Sequence, residues 1–158
     1  MGMTLARPKT IQNGWLALHA VGVMIALRLV LLRLKLPDLL QRLKPSRQPT
    51  YPDYPRLGKA AEYIEVLLRR YPFPLSGPCL PRALMRYYFA ARCGLPVQFH
   101  CGVCHDSDRL EGHAWINVDG RPYREAVDPE TIYAITFSFP KRPDRGTAVQ
   151  AVDTHAAE

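Results

Sequence analysis

The chain has few cysteines, few acidic residues and no long apolar run. Each of these shortages excludes some classes of protein. Its 158 residues include four cysteines, too few and too unevenly spaced for the disulfide scaffold of a secreted domain. A reducing, cytoplasmic location is therefore expected. Only 14 acidic residues oppose 21 basic ones, and the net charge of +7 indicates an anionic partner. Because no basic stripe is interleaved with aromatic residues, we do not expect nucleic-acid binding.

The longest apolar stretch lies near the N-terminus, where it could be mistaken for a signal peptide or a membrane span. Residues 15–27 form 13 largely apolar positions, whereas a span needs about 20, and Arg28, Arg33 and Lys35 follow. No small-residue cleavage site follows either. We expect a helix of the protein core over residues 15–36, with contact to a membrane surface or to another protein as the alternative.

Helical patterns occupy the first part of the chain and strand patterns the second. The predicted helices cover residues 12–36, 38–43, 57–70 and 79–93. The predicted strands cover residues 97–103, 113–118, 122–127 and 131–139. Helices followed by an antiparallel sheet predict an α+β fold. We divide the chain into a helical N-terminal region with a proline-rich linker (1–56), a core (57–140) and a mobile tail (141–158).

One cysteine, Cys79, is placed for nucleophilic chemistry because it begins a predicted helix. The positive end of a helix dipole favours the thiolate over the thiol. His113 lies on a predicted strand downstream, and a thiolate beside an imidazole is the minimal equipment for acyl transfer through a thioester. Cys93, inside the same helix beside small residues, is predicted to be a buried apolar side chain.

A third group must orient the histidine, and the geometry of a hairpin suggests the candidates. The Asp-Gly pair at residues 119–120 predicts a tight turn between two strands. If the turn has two residues, His113 faces Ala126 across the hairpin. If it closes a three-residue loop with a bulge, His113 faces Glu125 at about 5 Å. Glu125 is favoured, and Asp128, just past the end of the strand, is the alternative.

A competing pattern, C-x-x-C-H, is formed by Cys101, Cys104 and His105 and is typical of c-type haem attachment. It ends an alternating strand instead of leading into a helix, and all four methionines precede it, so no downstream methionine remains as an axial ligand. Zinc is disfavoured because adjacent strand residues, such as His100 and Cys101, point to opposite faces. We therefore expect no cofactor and no metal, and haem or metal binding is the lower-ranked alternative.

Five short motifs occur in order between residues 78 and 129. They are Cys-Leu-Pro-Arg-Ala-Leu (79–84), Gly-Leu-Pro-Val (94–97), Gly-Val (102–103), His-Ala-Trp (113–115) and Asp-Gly (119–120). In this order they resemble the transglutaminase-like (papain-like) thiol fold. More narrowly, they resemble the leader peptidase of lasso-peptide biosynthesis, which is the protease half of the B protein.

The resemblance implies a catalytic triad of Cys79, His113 and an acid. The family places an aspartate about a dozen residues after the histidine, where this chain has Glu125, and broader relatives keep an Asp-Pro that matches Asp128 and the following proline. It also implies a precursor peptide as substrate and an ATP-dependent macrolactam cyclase as partner. Because residues 1–78 contain no strand-rich recognition domain, we expect the split form with a separate leader-recognition protein. An acyl transferase that passes the thioester to an amine is the alternative.

Overall fold

The computed structural model describes residues 9–47, 49–73, 77–106 and 109–141. Within these ranges the helices are α1 (Lys9–Val30), α2 (Leu36–Leu43), α3 (Tyr54–Arg70) and α4 (Cys79–Arg92). The strands are β1 (Val97–Asp106), β2 (Arg109–Val118), β3 (Arg121–Pro122) and β4 (Ala134–Phe139), and a 3-10 turn covers Pro129–Thr131. The α+β prediction is confirmed. The predicted mobile tail, apart from Lys141, lies outside the described residues.

The ends of the helices follow from local sequence. Asp53 accepts a hydrogen bond from the N–H of Arg56 at 2.9 Å and so caps α3, which begins three residues earlier than predicted because Pro55 fits the first helical turn. Extended Lys35 separates α1 from α2, so the single helix predicted over residues 12–36 is wrong beyond Val30. After α4, Gly94 adopts a φ of 73°, and a side chain there would meet Pro49 O at 3.0 Å.

The sheet is antiparallel, with strand order β3-β2-β1-β4. β1 and β2 form a long hairpin whose paired residues run from Val97 and Val118 to Asp106 and Arg109. Both strands therefore extend several residues beyond their predicted lengths. The pairing of β1 with β4 shifts at Cys101 and Gly102, where a bulge bends the strand.

The turn after β2 has two residues, and the three-residue loop that favoured Glu125 is wrong. Val118 pairs with Arg121, and both residues of the Asp-Gly turn have positive φ, 52° and 76°, as a type I′ turn requires. The strand predicted over residues 122–127 ends at Pro122, because proline has no N–H to donate to the sheet. The last predicted strand, 131–139, begins only at Ala134, after the 3-10 turn.

One hydrophobic core runs from α1 to β4. It includes Leu16 and Leu27 of α1, Leu84 of α4, Ile116 of β2 and Phe139 of β4. Helix α4 packs against β1 and β2 on one side and against α3 on the other, which makes it the central helix. Cys93 is 2% exposed, as predicted. No helix in the described ranges is long and apolar enough to cross a membrane.

Candidate active site

The imidazole of His113 and the carboxylate of Glu125 form the centre of the candidate site. His113 Nε2 lies 3.2 Å from Glu125 Oε2, and the two side chains are 22% and 17% exposed. The hydrogen bond does not come from a strand pair, because β3 has already ended at Pro122. Arg124 has a φ of 56°, and this turn brings Glu125 back to the edge of β2. A loop thus supplies the carboxylate that was predicted on a strand.

Two aromatic rings hold the imidazole of His113. The ring of Trp115 is stacked on it at 5.9 Å between centroids and 14° between planes. The ring of Tyr133 is stacked at 5.1 Å and 28°. Trp115 lies two residues further along β2, so both side chains point to the same face of the sheet. With Nε2 on Glu125, Nδ1 is the ring nitrogen that can exchange a proton with a thiol or a substrate.

A buried arginine of α4 holds Glu125 from its other side. Arg86 is 5% exposed, and its guanidinium lies 3.3 Å from Glu125 Oε1 and 3.0 Å from Glu65 Oε1. It also donates to the backbone oxygen of Tyr123 at 3.2 Å. Burial lowers the pKa of Arg86, and the two carboxylates oppose that effect. The cation holds Glu125 in place through a charged hydrogen bond.

Cys79 is the first residue of α4, and its side chain is partly buried. Pro78, which precedes it at the N-cap, has no side-chain oxygen that could cap the helix. The N–H of Arg82 donates to the backbone oxygen of Pro78 at 3.1 Å, and Pro81 has no N–H. The donors of the first turn that could bind an oxyanion are therefore the N–H groups of Cys79 and Leu80, at the same end as the thiol.

Two chains of neighbouring residues lead from Cys79 towards His113. Cys79 interacts electrostatically with Cys101, which precedes Gly102, the cross-strand partner of His113. On α4, residues 79, 82 and 86 share one helical stripe, and Arg86 leads to His113 through Glu125. The Cys79 sulfur makes no hydrogen bond within the described part of the chain. The structure therefore joins His113 to Glu125, and among the described residues it gives no contact of Cys79 with either.

The alternative acid, Asp128, has a different environment. Its side chain accepts a hydrogen bond from the N–H of Glu130 at 3.0 Å, and its backbone oxygen accepts one from Thr131 Oγ1 at 2.7 Å. These bonds cap the 3-10 turn. The geometry therefore favours Glu125 over Asp128 as the partner of His113.

The residues of the C-x-x-C-H pattern lie along β1. Cys101 and Cys104 are free cysteines, and Cys104 belongs to the strand, not to the loop in which it was predicted. Burial, with Cys79 as a neighbour, raises the pKa of the Cys101 thiol to about 11. Across the described ranges, no three His, Cys, Asp or Glu side chains converge where they could hold a metal ion.

Three residues of the site were not predicted from the sequence: Arg86, Glu65 and Tyr133. A signal for Arg86 was available, since it lies seven residues after Cys79 on a helix whose other interior positions are mostly apolar. Glu65 and Tyr133 gave no such signal, because each reaches the site from an element distant in sequence.

A comparison with protein-family models gives one match. The model described as the transglutaminase-like superfamily matches residues 19–138, which is three quarters of the chain and includes Cys79, His113 and Glu125. No curated protein and no solved structure matches the chain significantly.

Proposed function

The chain belongs to the transglutaminase-like superfamily, and on that premise we propose that it is a cysteine peptidase that removes the leader from a ribosomal precursor peptide during lasso-peptide maturation. The superfamily contains cysteine-dependent enzymes, both peptidases and acyl transferases. The narrower assignment rests on the order of the motifs around Cys79 and His113. The observation that carries the proposal is the hydrogen bond from His113 Nε2 to Glu125 Oε2, because it orients an imidazole as a catalytic triad requires.

The reaction would pass through a thioester. The Cys79 thiolate attacks the carbonyl carbon of the bond that joins leader and core, and the N–H groups at the start of α4 stabilise the oxyanion. His113 donates a proton to the departing amine as the C–N bond breaks. Water then attacks the thioester, His113 takes its proton, and the C–S bond breaks to release the leader carboxylate. Glu125 stabilises the imidazolium, which forms when His113 takes the thiol proton of Cys79 and again when it takes the proton of the attacking water.

The partners follow from the same proposal. The precursor peptide binds with the help of a separate leader-recognition protein, and the freed amine of the core goes to an ATP-dependent macrolactam cyclase. The net charge of +7 favours acidic segments on whichever partner docks here. We place the reaction in the cytoplasm, where the free thiols would stay reduced.

The test is intact-mass analysis of a candidate leader–core precursor incubated with the protein and its recognition protein. We expect wild type to remove a leader-sized mass and Cys79→Ala to leave the precursor intact. Cys104→Ala is the matched control, because it removes a partly buried thiol from β1 without touching α4, and it should cleave like wild type. Uncleaved precursor in every sample, with the recognition protein bound, would overturn the peptidase proposal.

The same assay separates hydrolysis from acyl transfer. When an amine nucleophile such as hydroxylamine is added at millimolar concentration, the thioester can react either with water or with the amine. A leader released as the free acid in the absence of added amine supports a peptidase. A leader that appears only as an amine adduct would identify an acyl transferase of the same fold.

A further inference from the structure

Helix α1 has two apolar faces, and within the described part of the chain only one of them is covered. The inner face packs into the core through residues 16, 20, 23, 24 and 27. The outer face carries large exposed side chains: Trp15 is 66% exposed, Leu18 63%, Ile25 52%, Leu29 63% and Leu32 70%. With exposed Gly22, these residues recur at spacings of three and four and form one continuous line, which we call the outer stripe.

The outer stripe is long and contains no charged residue. It runs from residue 15 to residue 32, which corresponds to about 26 Å along a helix. Helical hydrogen bonds continue past the end of α1, from Leu31 N–H to Leu27 O and from Leu34 N–H to Val30 O, so Leu32 follows the same course. A monomeric protein rarely leaves such a line of large apolar side chains in water.

The charged residues that neighbour the outer stripe in the sequence are all basic. Residues 1–37 contain five basic residues and no acidic residue, and the first acid of the chain is Asp38. Arg28 is held by hydrogen bonds to the backbone oxygens of Tyr71 and Pro72. Arg33 and Lys35 are exposed and flank the last residue of the stripe. The surface is thus apolar along its centre and cationic at its end.

We propose that the outer stripe docks on an anionic lipid bilayer surface, with α1 lying in the plane of the interface. An exposed tryptophan, a line of leucines and flanking cations are the features of an interfacial helix. A second copy of the chain fits less well, because two such segments would bring only positive charge to each other. A protein partner fits less well too, because interfaces between proteins carry about one hydrogen bond per 100–200 Å² and the only donor on the stripe is the Trp15 indole.

The 158-residue chain carries its own probe for this interaction. It has two tryptophans, of which Trp115 is 1% exposed and Trp15 is 66% exposed, so changes in tryptophan emission report on Trp15. We would titrate the protein with vesicles of phosphatidylcholine alone and with vesicles containing one part phosphatidylglycerol to two parts phosphatidylcholine. Co-sedimentation with the same vesicles measures binding independently of fluorescence.

We expect a blue shift of Trp15 emission and co-sedimentation with the anionic vesicles, with binding to the neutral vesicles weaker by about tenfold or more. The double variant Leu18→Gln/Leu29→Gln should weaken binding by about tenfold or more, and Arg33→Gln/Lys35→Gln should remove most of the difference between the two lipids. The matched control is Val66→Gln/Leu110→Gln, which alters two side chains of similar exposure, 63% and 65%, on other elements. It should bind like wild type.

Several outcomes would overturn the proposal. These are the absence of any shift or co-sedimentation with anionic vesicles, equal binding of the stripe variant and its control, and equal binding to both lipids. A blue shift on concentrating the protein alone, with a doubled mass in sedimentation, would assign the stripe to a second copy. Circular dichroism of each variant establishes that a loss of binding is not a loss of fold. The inference stands independently of the proposed peptidase activity.

Discussion

The two faces of the β1–β2 hairpin are built from alternating residues of the same strands. One face carries apolar side chains, and the other carries side chains that hydrogen-bond or stack. The core face, formed by Phe99, Ala114, Ile116 and Val118, packs into the hydrophobic core with α4. The site face carries four residues that can hydrogen-bond or stack. They are His100, His113, Trp115 and Asn117, which contact Ser138, Glu125, Tyr133 and Glu130.

The difference shows how one strand can serve stability and chemistry together. Since successive side chains point to opposite faces, a single residue step in β2 separates core packing at Ala114 from hydrogen bonding at His113. The site face is covered by residues 128–133 and by the Glu125 loop, not by a helix. Core-face substitutions should therefore change stability, and substitutions around His113 should change catalysis.

The largest expected effect comes from His113→Asn. Loss of the acid–base group should lower the cleavage rate by about 10²- to 10⁴-fold. The free energy of unfolding should fall by about 1–3 kcal/mol, since the loss is limited to stacking and one hydrogen bond to a charged group. Single-turnover cleavage and urea denaturation measure the two quantities. A variant that stays active, or one whose loss of activity is explained by unfolding, would contradict the separation of the faces.

The substitution Ile116→Ala tests the core face of the same strand. Ile116 is fully buried, so the truncation should lower the free energy of unfolding by about 2–5 kcal/mol. The cleavage rate per folded molecule should stay close to that of wild type. Ile132→Ala, at a position 52% exposed, is the control and should change stability by no more than about 0.5 kcal/mol. Equal urea midpoints for the two variants would show that the core face has been misassigned.

Glu125→Gln and Asp128→Asn decide between the two candidate acids. A hydrogen bond to a charged group contributes about 1.5–3 kcal/mol, so Glu125→Gln should slow cleavage by about 10- to 150-fold. Glu125→Asp should recover part of the rate, and Asp128→Asn should cleave almost like wild type because that side chain caps a turn. Steady-state cleavage of the same precursor measures all three. If Asp128→Asn caused the larger loss, the third member would be Asp128.

The smallest expected effect is a difference in alkylation rate between two thiols of β1. Since the pKa of Cys101 is raised to about 11, its thiolate fraction at pH 8 is about 100-fold below that of an unperturbed thiol, and it rises with pH until about pH 11. Iodoacetamide should therefore modify Cys104, on the site face, well before Cys101, on the core face. Both thiols lie in one tryptic peptide, residues 93–109, so fragment-ion mass spectrometry of that peptide measures the two rates separately, with urea-unfolded protein as the control. Equal rates in the folded protein would argue against burial of Cys101.

The sequence predicts most elements of this fold because their signals are local. The helical patterns predicted α3 and α4 to within three residues at each end, and the Asp-Gly pair predicted the hairpin turn. The errors at the end of α1 and at the end of β3 have local causes too, at extended Lys35 and at Pro122, which the predicted ranges overlooked.

The residues of the candidate site also divide into those that the sequence identified and those that it did not. Cys79 and His113 are identifiable from a helix start and a strand motif, and their proposed roles stay predictions. Glu125 was favoured through a three-residue loop that does not exist, and it reaches His113 because the chain leaves the sheet after Pro122. The contact between His113 and Glu125 was thus expected from a register that the structure does not have.

By itself, the sequence determined the order of the elements, the turn chemistry and the candidate nucleophile and base, since each depends on neighbours within a few residues. Only the tertiary structure decided that Arg86 joins Glu65 to Glu125, that Tyr133 stacks on His113 and that α1 leaves one apolar face uncovered. These features depend on contacts between segments tens of residues apart. Their positions are fixed by the packing of the whole chain, which a local pattern does not encode.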